Sequence, residues 1–71
     1  MPFSSLAPED VARTKAAFDA AWHEIKSTVP DGHEEKERTR LAYIVASFVA
    51  VADDVADLTR RAVERYRNST H

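Results

Sequence analysis

Residues 41–52 read Leu41-Ala42-Tyr43-Ile44-Val45-Ala46-Ser47-Phe48-Val49-Ala50-Val51-Ala52, and Ser47 is the one clearly polar member. On a helix, the large side chains of this stretch fan over about 160°, wider than the roughly 100° stripe of an ordinary surface helix. Leu41, Ile44, Val45, Phe48, Val49 and Val51 make up that arc, while Ala42, Ala46 and Ala50 sit four apart on the adjoining face. Several of these residues also favour sheets. The charged helix formers of 34–40, however, run into Leu41 without a turn residue, so the pattern predicts a buried helix. A single antiparallel neighbour covers one stripe of it. The surplus must go to another helix of the same chain or to a second chain.

The flanking segments carry their own helical signals. Pro8 suits a first helical turn, and Glu9 and Asp10 complement the positive end of the helix dipole. A helix is predicted over 8–28, with Val11, Phe18, Trp22, Ile25 and Val29 on one stripe, Thr14 and Ala21 at its edge, and Trp22 as the anchor. Ala12, Ala16 and Ala20 lie opposite. They read either as good helix formers on an exposed face or as a close-approach strip for another helix.

Pro30 ends that helix, and Pro30-Asp31-Gly32 is the clearest turn in the chain. Asp31 followed by Glu34 resembles a capping box with Asp in place of Ser or Thr. So short a link makes the first two helices antiparallel neighbours. The second helix is predicted over 32–52. Asp54 can cap a third helix over 54–67, with Asp57 in its first turn, burying Val55, Leu58, Ala62 and Tyr66 and exposing Arg60, Arg61, Glu64 and Arg67. The four–three spacing of Leu41, Val45, Phe48, Ala52, Val55, Thr59, Ala62 and Tyr66 would also suit one continuous helix of about 35 residues. A break near Asp53 is the favoured reading. Residues 1–7 are expected to be a lead-in, and 68–71 a frayed tail.

Composition narrows the options. Seventy-one residues make a single small domain, and a core of this size supplies only about 3–5 kcal/mol. The chain has no cysteine, which removes disulfides and thiolate zinc sites and leaves oligomerisation as the usual supplement. Ten basic against twelve acidic residues give a net charge of −2, which predicts no bulk attraction to nucleic acid or anionic lipid. An apolar run of twelve falls short of the about 20 residues that a membrane span needs. Residues 1–5 show neither a basic n-region nor an apolar h-region, so a cytoplasmic location is expected.

Three short motifs carry a resemblance: Ala17-Phe18-Asp19-Ala20-Ala21-Trp22, Arg38-Thr39-Arg40-Leu41-Ala42, and Asp54-Val55-Ala56-Asp57-Leu58. Over roughly 10–67 the chain resembles short uncharacterised helical proteins of alphaproteobacteria, which pair an A-F-D-x-A-W-like first helix with an R-x-R-L-A opening to the second. Their third segment often reads D-P-E-x-L. Val55 stands here where that pattern has proline, and no glycine precedes the aspartates. The resemblance implies three helices and no particular activity.

Candidate chemistry is sparse. His23 near Asp19 and Glu24, and His33 before Glu34 and Glu35, lack the H-E-x-x-H spacing of a helical metal site. Ser47 is the one serine in a predicted core element, where a bond to a carbonyl one turn back is expected. Asp53, Asp54 and Asp57 read as capping and dipole compensation. Neither an enzyme nor a resident cofactor or metal is predicted. Arg60, Arg61, Arg65 and Arg67 on the third helix offer a DNA-binding alternative. Negative net charge, the dipole's own preference for basic residues at that end, and a turn without glycine weigh against it.

The prediction is therefore an all-α helical hairpin with a shorter C-terminal helix. Two copies are expected to pair into a homodimeric bundle through Leu41, Ile44, Val45, Phe48, Val49 and Val51. The expected role is that of a small non-catalytic interaction or regulatory module, with another protein bound in a helical groove as a further possibility.

Overall fold

The structure is a computed structural model and describes residues 8–69. The lead-in of 1–7 and the last two residues of the expected tail lie outside the described residues. The elements are α1 (Pro8–Ile25), continued by a 3₁₀ turn at Lys26–Thr28, then α2 (Glu34–Phe48) and α3 (Val55–Ser69). The described chain is all-helical.

α1 ends as its sequence dictates. The Thr28 hydroxyl donates to the Ile25 carbonyl at 2.7 Å, and Val29 turns extended, with ψ 125°, ahead of Pro30. The turn then needs Gly32 at φ +87°, a region that costs a residue with a Cβ. The start of α2 differs from the expected Asp31 cap. His33 occupies the N-cap position without a side-chain cap bond, and the Glu34 carboxylate accepts the Gly32 N–H at 3.1 and 3.2 Å. Glu34, the first helical residue, thus accepts the amide that precedes the N-cap, and no capping box forms.

α2 stops at Phe48, four residues short of expectation. The Val51 and Ala52 amides both donate to the Phe48 carbonyl, at 3.1 and 3.0 Å, closing a turn that carries Val49 and Ala52 into the core. The turn is followed by a cap. The Asp57 N–H donates to Asp54 Oδ1 at 2.8 Å, and the Asp53 N–H donates to Asp57 Oδ2 at 3.1 Å. Two carboxylates three residues apart therefore satisfy two amides at the start of α3. α2 and α3 are separate helices.

Ala17, Ala21 and Ile25 of α1, Leu41 and Val45 of α2, and Leu58, Ala62, Val63 and Tyr66 of α3 form the body of the core. All three helices pack on one another, α3 most extensively against α1. Ala17, Ala21 and Ala62 are fully buried, and side chains this small let helix backbones approach closely. The buried line of α1 is accordingly rotated from the predicted stripe. Val11 is 47% exposed, while Phe18 and Trp22 only flank the core. The guanidinium of Arg38 covers both rings, 5.7 Å from the Phe18 centroid and 5.8 Å from that of Trp22. Ala12, Ala16 and Ala20 are all exposed.

Candidate interaction surface

With α3 packed over Leu41 and Val45, much of the apolar arc of 41–52 is satisfied within the chain. Leu41, Val45 and Val49 are buried in that core. Ile44 and Phe48 pack at its margin, and Val51 is 60% exposed. A partner that leaves this fold intact therefore meets Ile44, Phe48 and Val51, but not the other three.

What remains outside is unusual for a surface helix. The outermost line of α2 runs through Lys36, Thr39, Tyr43 and Ser47 and on to Ala50 in the turn that follows, all exposed. No charged residue lies between Arg40 and Asp53, although the solvent face of an amphipathic helix ordinarily carries charges. Tyr43 is 71% exposed. The Ser47 hydroxyl donates to the Ile44 carbonyl at 2.7 Å, which hides its polarity against the helix. Beyond Arg40 the outer face of α2 is neutral and half-apolar, with Tyr43 exposed on it.

On α3, Asp57, Arg60, Arg61 and Glu64 are committed to one another. Arg60 donates to Glu64 at 2.7 Å and to Asp57 at 2.6 Å, and Arg61 Nε donates to Asp57 at 2.9 Å. The Asp53 backbone N–H, followed by these two guanidinium groups, lowers the Asp57 pKa to about 2. Arg60, Arg61 and Arg65 line a shallow depression of about 320 Å³ beside Phe48, together with Glu64 and Asn68. Arg67 lies on the groove between α1 and α3 with Ala20, Glu24 and Val63, and Arg60 lines that groove as well. The four arginines thus spread over two adjoining depressions that share Arg60. A nucleic acid on α3 would compete with the Asp57 and Glu64 carboxylates for two of them.

A second polar joint ties α2 to the end of α3. Arg40 lies over the Tyr66 ring at 5.4 Å, and its Nη2 donates to both the carbonyl and the hydroxyl of Ser69 at 2.7 Å. Burial, and then the charge of Glu37 beside it, raise the Tyr66 pKa above its ordinary 10.0. The two arginines of Arg38-Thr39-Arg40 therefore hold one neighbouring helix each. Sequence reasoning missed this role, although the two-residue spacing, which points side chains to different sides of a helix, is the available signal.

His23 and His33 are exposed. Among the described residues no group of three or more His, Asp or Glu side chains could hold a metal ion. None of the described helices is long and apolar enough to cross a membrane. No family model, curated protein or solved structure matches the chain.

Proposed function

We propose that the protein is a small non-catalytic helical interaction module that acts as a homodimer through the outer face of α2. The observation that carries the reading is the charge-free exposed surface around Tyr43 and Ser47 of that helix and Ala50 just beyond it. Water-facing helix positions are the cheapest places in a protein to put charge, and a helix without it fits a surface that spends part of its time covered. The closed ion-pair networks on α3 also favour a structural role for those charges over a catalytic one.

The module's face should respond to protein concentration. In amide NMR spectra recorded over a dilution series, Thr39, Tyr43, Ser47 and Ala50 are expected to shift with concentration. The Ala12, Ala16 and Ala20 signals of the opposite alanine strip should stay fixed. Shifts confined to α1 or α3 would place the contact elsewhere and remove the basis for this function.

A further inference from the structure

We propose that the turn of residues 49–54 is a hinge that can straighten into helix. α3 then leaves its own α1 and α2 and docks on those of a second copy, which gives its α3 in exchange. This goes beyond the outer-face pairing above and makes no use of Tyr43.

The two interhelical turns differ in chemistry. The one before α2 carries Pro30 and holds Gly32 at φ +87°, and a proline inside a helix removes a backbone bond and clashes with the preceding turn. The one before α3 has neither proline nor glycine, and none of its residues has a positive φ. It is already partly helical. Val49 keeps helical angles, φ −59° and ψ −34°. The Ala52 amide donates to the Phe48 carbonyl at 3.0 Å, and the Leu58 amide to the Asp54 carbonyl at 2.9 Å, both with the four-residue spacing of an α-helix. Between them stands the cap, in which the Asp53 and Asp57 amides are held by aspartate side chains. Straightening replaces those two bonds by bonds to the Val49 and Asp53 carbonyls.

The sequence is in register for it. Phe48, Ala52, Val55 and Thr59 keep the four–three spacing of inward positions through the turn, so a straightened α2–α3 presents one apolar stripe. What covers that stripe is fixed by the fold itself. The surface of Ala17, Ala21, Leu41 and Val45 already fits Leu58, Ala62 and Tyr66, and Arg40 already holds Ser69. The same contacts form between copies, so the two forms differ mainly at the hinge. A six-residue link holds α3 at an effective concentration on the order of millimolar. The monomer therefore prevails in dilute solution, and exchange is slow because α3 must first come off.

The chain has no cysteine, so Glu35→Cys with Asn68→Cys allows spin labels at two exposed positions. In the hairpin form both lie at the end of the molecule where Arg40 meets Ser69, about 10–20 Å apart across neighbouring helices. A straight helix puts them about 50 Å apart, at a rise of about 1.5 Å per residue. Labelled chain is refolded from urea at high concentration with excess unlabelled chain, so that only distances within one chain are read, and is separated by size. The expected result is the short distance in the monomer fraction and about 50 Å in the dimer fraction. A dimer fraction that keeps the short distance, or no separable dimer, would overturn the exchange. The outer-face dimer keeps the short distance and is lost with Tyr43→Glu, so the two claims fail separately.

Two variants bear on the hinge. Asp53→Ala with Asp54→Ala removes the cap and favours helix, and should raise the dimer fraction on the order of tenfold. Val55→Pro suits the first residue of α3 but not the interior of a continuous helix. It should leave a folded monomer, with helix content as the control, that forms no exchanged dimer. A dimer fraction unchanged by the alanine pair, or formed as readily by folded Val55→Pro as by wild type, would overturn the hinge.

Discussion

Asp57 shows how much one side chain can do at a helix start. Its carboxylate accepts the Asp53 amide, Arg60 and Arg61, and its own amide is held by Asp54. The carboxyl titrates lower in the folded chain, at about 2 against 3.8. Its contribution to stability is therefore fully present above pH about 4 and is lost as pH falls through about 2. Asp57→Asn is expected to lower the melting temperature at pH 7. The gap between variant and wild type should close as the pH is lowered from 5 towards 2. A gap that stays constant over that range would mean the charge of Asp57 contributes nothing. The cap itself was legible in the sequence from Asp54 and Asp57, because capping is local. The bonds of Arg40 to Ser69 were not, because they join residues 29 positions apart.

Among the elements, α1 shows most clearly where sequence periodicity stops helping. Two alanine series run along it, and size and polarity do not distinguish them. Ala17 and Ala21 are fully buried, whereas Ala12, Ala16 and Ala20 are exposed. Large side chains drew the predicted stripe towards Phe18 and Trp22, but close helix packing favours small residues at the centre and large ones at the margin. Ala17→Leu should cost about 1–3 kcal/mol through overpacking, and Ala16→Leu should stay within about 0.5 kcal/mol of wild type. Urea denaturation of the two variants measures both, and equal effects would put the core on the wrong line of α1. For α2, the break before α3 was legible from Asp53 and Asp54. Its position at Phe48 was not, since residues 49–52 are as helix-compatible as those before them. Only the arrival of α3 makes a turn there worthwhile, because the turn buries Val49 and Ala52.

The whole molecule resolves the surplus apolar arc by using its own third helix. A domain of this size has only about 3–5 kcal/mol in reserve. Leu58 is 1% exposed at the junction of the helices, and Leu58→Ala should cost about 2–5 kcal/mol, enough to unfold much of the population. Far-UV circular dichroism of that variant should show a large loss of helix at room temperature, whereas Phe48→Ala at the core margin should keep its helix. Native-like helix in Leu58→Ala would mean the core lies elsewhere. What folding leaves uncovered is the neutral outer face of α2 beyond Arg40, and the central claim is that a second copy covers it. Sedimentation equilibrium over a wide concentration series, with helix content followed on the same samples, tests this most directly. The expected result is reversible conversion of a folded monomer into a dimer as concentration rises, with helix content unchanged and Tyr43→Glu abolishing the conversion. A folded monomer at every concentration would contradict the account.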